Sequence, residues 1–393
     1  MEGDGLLKIP IARTLLTQKD FDIILEPLKN GWVVQGPFVE KFENKFSDYT
    51  GAKHSIAVTS CTTALQLSLA ALGFKPNDEA IIPAFTWIST ANVIEHMGGR
   101  VVFCDINLDT FNIDTDRIEG LITSKTKAII PVHLFGLSSN MNKINQIAEK
   151  HNLLVVEDAA CGFGTKYKDK HVGTFGNTGC FSFHPRKAIT TGEGGMINTN
   201  DDQLAVKLRS LRDHGAKVSD FQRHHGAKPY LLPEFPYAGY NFRMTDIQAS
   251  IGLSQMDRAN DILSERREIA HNYTSSLSKL NFFQLPYDTS DYYNGFQSYP
   301  CLFDLNNISL ENITKVNGRR NQFMDSLEAT GISTRPATHA VHMLKYYSKK
   351  YKINPLDFPN SFIANETSIS FPLFNGMTKD EFSYVIEGIK DNL

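Results

Sequence analysis

Between about residues 50 and 200, short apolar runs alternate with longer segments in which apolar and polar residues follow a helical spacing. The apolar runs predict strands at residues 54–60, 80–85, 101–106, 128–134, 153–157 and 180–184. Amphipathic segments such as 62–72 and 141–151 lie between them and predict helices. This order is typical of an α/β fold in which helices cover both faces of a mostly parallel sheet.

The pattern changes after residue 256. It predicts a long helix at residues 257–280, a strand at 298–303, a helix at 311–330, a short strand at 332–335 and a closing helix from Thr378. Residues 217–236 are rich in His, Gly and Pro and predict a loop. We therefore expect a large domain, residues 1–256, and a smaller α+β C-terminal domain, residues 257–393.

Composition narrows the class of protein. The formal net charge of −3 over 393 residues gives no reason to expect nucleic acid or an anionic membrane as a partner. The acidic residues 1–5 do not resemble a secretory signal, and no apolar stretch reaches the length of a membrane span. The five cysteines are scattered without CxxC spacing, so we expect reduced thiols in the cytoplasm and no metal or iron–sulfur site.

Lys187 stands in an unusual context, between the aromatic run FSFHPR at 181–186 and the glycine-rich GEGG at 192–195. Asp158 follows the apolar residues 153–156, so it should emerge at the carboxyl edge of the sheet. Pyridoxal 5'-phosphate (PLP) chemistry needs a lysine that forms a Schiff base and an acid that pairs with the pyridine nitrogen. Lys187 and Asp158 are therefore candidate catalytic residues; a solvated loop lysine and a helix cap are the alternatives.

Other residues suit the remaining parts of such a cofactor. Cys61 and Thr62 open a helix after the first strand, where unpaired N–H groups favour a phosphate, although ordinary helix capping explains the same residues. Ser182 could donate to that phosphate. Trp87 follows a strand end and could stack on the ring, unless it is a core or interface tryptophan. Cys161 could face the ring's phenolic oxygen, but most such cysteines are buried structural residues.

Through these candidate residues and the motifs around them, the chain resembles the DegT/DnrJ/EryC1/StrS group of sugar aminotransferases. Members of that group have the PLP-dependent transferase fold of type I. The matching motifs are GP at 36–37, TSCTTAL at 59–65, PAFTW at 83–87, PVHLFG at 131–136, EDAA at 157–160, SFHPRK at 182–187, GEGG at 192–195 and GYNFRMTDIQA at 239–249. They span nearly the whole chain, and their shared order makes the resemblance specific.

The resemblance implies a role for each candidate. It implies the Schiff-base lysine for Lys187, the pyridine-nitrogen partner for Asp158, the phosphate cradle for Cys61, Thr62 and Ser182, the stacking ring for Trp87, and a phosphate contact from the neighbouring subunit for Asn241. The last role implies a homodimer with shared active sites; alternatively, Asn241 is only a turn residue. Two positions depart from the family pattern. Cys61 stands where glycine is frequent. Cys161 stands where Gln, His or Glu is usual, and a thiol forms weaker hydrogen bonds than those side chains.

Lys187 also distinguishes branches of the family, because related sugar dehydratases carry histidine there. The resemblance therefore implies transfer of an amino group from L-glutamate to a nucleotide-diphosphate-linked keto-sugar in ping-pong half-reactions. The motif STRPATH at 333–339 is similar to that of perosamine-type 4-aminotransferases and suggests a 4-keto-6-deoxyhexose. Arg335 and His339 could contact the diphosphate or the sugar hydroxyls, or be surface residues.

Three alternatives stay open. The substrate could be a 3-keto sugar or a cyclitol ketone, because the cofactor residues would be the same. A non-catalytic PLP-binding regulatory protein is a second alternative, which the intact Lys187 and Asp158 disfavour. A nicotinamide-dependent enzyme is the weakest, since no G-x-G-x-x-G motif follows the first strand.

Overall fold

The computed structural model describes residues 7–226 and 228–393. The α-helices are α1 Gln18–Asn30, α2 Pro37–Thr50, α3 Cys61–Ala71, α4 Ser89–His96, α5 Met141–His151, α6 Asp202–Arg212, α7 Asp220–His224, α8 Asp246–Met256, α9 Ala259–Leu277, α10 Ile313–Ala329, α11 Lys345–Tyr351, α12 Pro359–Thr367 and α13 Lys379–Asp391. The strands are β1 His54–Val58, β2 Glu79–Pro83, β3 Phe85–Thr86, β4 Arg100–Cys104, β5 Thr126–Ile129, β6 Leu154–Asp158, β7 Lys166–Tyr167, β8 Lys170–His171, β9 Thr178–Ser182, β10 Gly195–Thr199, β11 Tyr292–Tyr293, β12 Tyr299–Leu302, β13 His339–Ala340 and β14 Ser368–Phe371.

The sequence predicts neither a secretory signal nor a membrane span, and the described residues bear only on the second of these predictions. Residues 1–5, on which the expectation of no secretory signal depends, lie outside the described residues. Within residues 7–226 and 228–393, no helix has both the length and the apolar character that a membrane span requires.

The central sheet has the strand order β1-β10-β9-β6-β5-β2-β4. Strands β9, β6, β5, β2 and β4 pair in parallel, whereas β10 runs antiparallel to both of its neighbours. The predicted α/β class with a mostly parallel sheet is therefore confirmed. Parallel neighbours bring their carboxyl ends to one edge, which is where open α/β sheets carry their ligands.

Helices cover both faces of this sheet because successive strand residues point in opposite directions. In β2, Ala80 and Ile82 pack in one core with residues of α3 and α4. Ile81, between them, packs in a second core with Met141 and Ile144 of α5. The buried strands are thus apolar on both faces, which explains the continuous apolar runs in the sequence.

Two predicted strands differ clearly from the structure. The strand predicted at 128–134 is β5, Thr126–Ile129, because Pro131 lacks an N–H donor and Phe135, with φ of 60°, turns the chain. The strand predicted at 332–335 is not formed: Ile332 and Arg335 make only isolated bridges, to Ile9 and Ser370. The proline at 336 also restricts the residue before it and removes a donor for further pairing.

The C-terminal part has its own core. Side chains of α9, β12, α10, β14 and α13 pack together, and β12 pairs antiparallel with β14. Ile9 belongs to this core as well, and its N–H donates to Gly331 O at 2.8 Å. The smaller α+β part is therefore present, and the exact division at residues 256 and 257 stays a prediction.

His171 makes the folded state sensitive to acid. Its ring is buried, Nε2 accepts from the Gly164 N–H at 3.0 Å, and Nδ1 lies 2.6 Å from Val172 O. The neutral ring therefore uses one nitrogen as acceptor and the other as donor. Burial lowers the pKa of His171 from 6.5 to about 4.

We expect His171 to account for about 2 kcal/mol of lost unfolding free energy between pH 8 and pH 5. The unfolded chain binds a proton at this histidine below about pH 6.5, whereas the folded chain stays neutral there until about pH 4. Urea denaturation at both pH values checks this, with His171→Gln as the comparison, because Gln keeps a donor and an acceptor without titrating. An unchanged pH difference in that variant would contradict the assignment.

Candidate active site

Lys187 lies on a tight loop that connects β9 to β10. The loop closes through two hydrogen bonds, from Phe183 N to Gly194 O at 2.9 Å and from Thr191 N to Phe183 O at 3.1 Å. Lys187 Nζ is 3.1 Å from Cys161 Sγ. Because Cys161 follows Asp158 by three residues, the lysine is directed at the carboxyl end of β6.

Asp158 ends β6 and is a buried carboxylate that its surroundings hold in place. Its Oδ2 accepts from the Thr90 hydroxyl at 2.7 Å, and its Oδ1 accepts from the Ala160 N–H at 3.1 Å. Burial raises the pKa of Asp158, and the bond from Thr90 opposes that shift. Among the ion pairs of the described residues, none involves Asp158. A fixed, buried carboxylate of this kind fits a cationic ring nitrogen.

The start of α3 has the features of a phosphate site. Ser60 caps the helix by accepting from Thr63 N at 3.1 Å, and Cys61 and Thr62 are its first two residues. The first N–H groups of a helix have no partner within the helix and carry partial positive charge. Ser182 lies at the end of β9, and its register partner in β10 is Gly195, where a Cβ would meet the backbone of Ser60 and Cys61.

Trp87 and His339 lie next to each other although they are far apart in the sequence. Strand β3 pairs with β13, with Thr86 opposite His339. The Trp87 and His339 rings are 5.7 Å apart, and Trp87 is 53% exposed. An exposed indole beside the site is available to stack on a planar ligand. This exposure excludes a core position for Trp87, whereas its position at an interface stays an open alternative.

Arg335 and Asn241 are placed differently. Arg335 lines a cavity together with Arg186, the residue before Lys187. Asn241 is exposed and forms an isolated antiparallel bridge with Asp213. Among the described residues, no recorded hydrogen bond joins the Asn241 side chain to the other candidates.

Sequence reasoning missed Thr90 and the pair formed by His133 and Glu157. His133 Nε2 is 2.9 Å from Glu157 Oε2, and both side chains are fully buried. Burial raises the pKa of Glu157, but His133 and the N–H groups of Gly176 and Gly173 outweigh burial and leave the pKa lowered. Thr90 gave only a weak signal in the sequence, three residues after Trp87, and the structure places it in the first turn of α4.

We expect Thr90→Val to lower kcat/KM about tenfold to a hundredfold, because a hydrogen bond to a charged group contributes about 1.5–3 kcal/mol. Valine keeps the shape of the side chain but cannot donate to Asp158. Steady-state kinetics measure the effect, and Thr90→Ser is the control because it retains the hydroxyl. Activity of the valine variant equal to that of the serine variant would show that this bond is dispensable.

Gly195→Ala is expected to lower the unfolding free energy by about 1–3 kcal/mol. A Cβ at Gly195 would lie 2.4 Å from Ser60 C and 2.7 Å from Cys61 N, so the start of α3 must shift. Thermal denaturation measures the loss, and PLP titration should show weaker binding. Gly120→Ala is the matched control, because its Cβ would meet nothing within 4 Å. Equal stability of the two variants would argue against the close approach.

Comparisons with known proteins agree with this site. The chain is 37% identical over 386 residues to a GDP-perosamine synthase from Caulobacter vibrioides, covering 98% of both chains. It is 35% identical over 383 residues to the spore coat polysaccharide biosynthesis protein SpsC of Bacillus subtilis, covering 98% of this chain and 96% of that protein. The structure of the putative sugar aminotransferase Spr1654 from Streptococcus pneumoniae in its PMP form superposes with a TM-score of 0.90 and 28% identity, covering 98% of this chain and 99% of that one.

The DegT/DnrJ/EryC1/StrS aminotransferase family matches residues 15–390. The predicted resemblance, the fold of type I and the predicted enzyme class are confirmed. The chain belongs to the DegT/DnrJ/EryC1/StrS aminotransferase family.

Proposed function

We propose that the chain is a PLP-dependent aminotransferase that moves an amino group from L-glutamate to a nucleotide-diphosphate-linked keto-sugar. The observation that supports it most directly is Lys187, 3.1 Å from Cys161, beside the buried carboxylate of Asp158. The putative sugar aminotransferase Spr1654 has been solved in a PLP form and a PMP form, which are the two cofactor states of an amino-transfer cycle.

Each candidate residue would contact a different part of the cofactor. Lys187 would bond its carbonyl carbon, Asp158 its ring nitrogen, and Trp87 would stack on its ring. The phosphate would lie on the first N–H groups of α3 and on the hydroxyls of Thr62 and Ser182. When bound, PLP supplies an electron sink for the carbon that loses or gains a proton.

The chain's own residues then hold and move protons. The Lys187 amine carries the proton between carbon atoms once it is free. Cys161 holds that amine at 3.1 Å, and Thr90 fixes the orientation of Asp158 at 2.7 Å. The short Cys161 contact favours a positioning role for this thiol, at the position where the family resemblance implies a residue that forms stronger hydrogen bonds.

For the acceptor we propose a 4-keto-6-deoxyhexose carried on a nucleotide diphosphate. The 37% identity to a GDP-perosamine synthase supports this class, and so does His339 beside Trp87. A 3-keto sugar or cyclitol ketone is the alternative acceptor, and a non-catalytic PLP-binding protein is the alternative function.

We also propose a homodimer in the cytoplasm. Apolar side chains of α1 and the following turn are exposed, as expected for a surface that a second copy covers. They are Phe21, Leu25, Leu28, Val33 and Val34. Asn241 is exposed as well, consistent with a contact in the neighbouring active site. The five cysteines are free, which suits a reducing compartment. Sedimentation analysis tests the dimer, and a monomer at micromolar concentration would refute it.

The visible absorption spectrum of the purified protein, before and after L-glutamate, tests the function. We expect a cofactor band that glutamate converts to the pyridoxamine form, followed by an amino-sugar product when a 4-keto nucleotide sugar is added. A product formed only from a 3-keto substrate would show that the acceptor is a 3-keto compound and not the proposed 4-keto sugar. A cofactor band that no amino donor changes would favour the non-catalytic alternative.

A further inference from the structure

We propose that Cys161 and Lys187 form a covalent sulfur–nitrogen bond when a peroxide oxidises the thiol, which makes the reactive lysine the site of a reversible redox modification. The bond itself depends only on these two side chains, whereas its effect on the cofactor rests on the proposed function. Cys161 stands where the family resemblance implies Gln, His or Glu, and none of those side chains contains the sulfur that the bond requires.

The two reactive atoms lie in contact, with Lys187 Nζ 3.1 Å from Cys161 Sγ. The Gly162 N–H donates to Ala159 O at 2.8 Å, which closes the turn that carries Cys161. The Lys187 N–H donates to His184 O at 2.8 Å, so the backbone of the lysine is held as well. Groups that are held together in this way react as if each were present at a very high concentration. The flexible lysine side chain can close the remaining distance by bond rotation.

Cys161 is also the thiol that a peroxide can reach. All five cysteines lie within the described residues, and only Cys161 is partly exposed. Burial raises the pKa of each of the other thiols, which keeps them in the protonated, slowly reacting form; these are Cys61, Cys104, Cys180 and Cys301. Burial lowers the pKa of Arg335 and the nearby Cys161 opposes that shift, so a second cation lies close to this sulfur besides Lys187. Partly exposed, electropositive surroundings are typical of cysteines that become oxidised.

The reaction balances with one molecule of peroxide. The peroxide takes two electrons from the Cys161 sulfur, which gains a hydroxyl group and becomes a sulfenic acid while water or an alcohol leaves. The Lys187 nitrogen then bonds to the sulfur, the sulfur–oxygen bond breaks, and the hydroxide leaves as water with a proton from the amine. The product is a sulfenamide, and the two side chains together have lost two hydrogen atoms. Two molecules of a small thiol reverse the step, because they restore the thiol and the amine and become a disulfide.

This modification would remove the group that the proposed function needs most. A lysine nitrogen that is bonded to sulfur is no longer a primary amine, so it cannot form the proposed Schiff base with the cofactor carbonyl. Conversely, a lysine that is already bonded to PLP has no free amine for the sulfur. We therefore expect the pyridoxamine form, in which Lys187 is free, to be the state that is sensitive to peroxide.

The test treats the holoenzyme with hydrogen peroxide before and after conversion by L-glutamate, and each sample is desalted first. Mass spectrometry of proteolytic peptides should find the peptides of Cys161 and Lys187 joined, with a mass about 2 Da below their sum. The glutamate-treated sample should contain at least about tenfold more of this product than the PLP form, because its lysine is free. It should also fail to regain the visible cofactor band with fresh PLP until dithiothreitol is added.

Three variants assign the effect to the two side chains. Cys161→Ser should give no joined peptide, and peroxide should not change its ability to bind PLP. Lys187→Ala should give sulfenic or sulfinic acid at Cys161 and no joined peptide. Lys150→Ala, at an exposed lysine paired with Glu119, should behave like the wild type. Because the first two variants remove opposite ends of the bond, the test stays decisive if one of them does not fold.

The outcomes separate this inference from the proposed function. If the glutamate-treated enzyme resists peroxide, or is oxidised at Cys161 without a bond to Lys187, the inference is wrong and the proposed function stands. A joined product that still regains the full visible band with PLP would also overturn it. Joined peptides in a protein that responds to no amino donor would support the sulfur–nitrogen bond and overturn the proposed function.

Discussion

Lys187→Ala is expected to abolish amino transfer and leave the fold intact. The side chain lies on a loop that two backbone hydrogen bonds close, Phe183 N to Gly194 O and Thr191 N to Phe183 O, and neither involves the lysine side chain. The variant therefore loses the amine but keeps the loop. Since positioned proton transfer alone contributes up to about 10⁴-fold, we expect kcat to fall by at least about that factor.

Absorption spectroscopy and single-turnover kinetics measure this loss together. The variant should bind PLP without the band that the lysine-bound cofactor gives, and a small primary amine in the buffer should restore part of the rate. Lys150→Ala is the control, because its side chain is 67% exposed and pairs with Glu119 away from the site. A Lys187→Ala variant with more than about one hundredth of the wild-type kcat would remove this lysine from the mechanism.

Asp158→Asn is expected to lower kcat/KM about 10²-fold to 10⁴-fold, in line with the roughly 3–5 kcal/mol lost when one partner of a buried ion pair is removed. The apoprotein should not lose stability. Burial already disfavours the charged form and raises the pKa of Asp158, so a neutral amide avoids that penalty. Asparagine can accept from the Ala160 N–H and donate to the Thr90 hydroxyl.

Thermal denaturation of the PLP-free protein and kinetics of the loaded enzyme test the two halves of this prediction. A melting temperature that is equal or higher, together with reduced activity, is the expected combination. Asp169→Asn is the matched control, since that residue is exposed in the turn between β7 and β8. A stable variant with full activity would show that the carboxylate does not serve the cofactor.

Local patterns predicted the elements on which the site is built. Asp158 lies at the end of β6, as the apolar run before it indicated. Ser182 ends β9, whereas the predicted strand at 180–184 continued two residues beyond it. The helix predicted at 141–151 is α5, Met141–His151, because its apolar spacing is regular and Asn140 caps it. Parallel strands place their carboxyl ends at one edge, so the proximity of these candidates followed from the order of elements.

Contacts between segments that are far apart in the sequence could not be predicted from local patterns. The antiparallel strand β10 was not predicted. It is only five residues long and follows a glycine-rich turn, and so short a segment reveals neither the strand nor its direction. The pairing of Thr86 with His339, and the cavity shared by Arg186 and Arg335, depend on tertiary packing alone. Thr90 was hidden for a related reason, since a threonine near the start of a helix has an ordinary capping explanation.

The short ladder between β3 and β13 has a consequence for protein synthesis. Trp87 enters the folding chain early, but its neighbour His339 is translated about 250 residues later. The large sheet, whose last strand β10 ends at Thr199, has all of its strands long before that point. A prematurely terminated chain that contains the whole sheet would thus carry the proposed cofactor residues Lys187 and Asp158 but lack His339. Under the proposed function, such a chain would lack a residue proposed for the substrate side of the site.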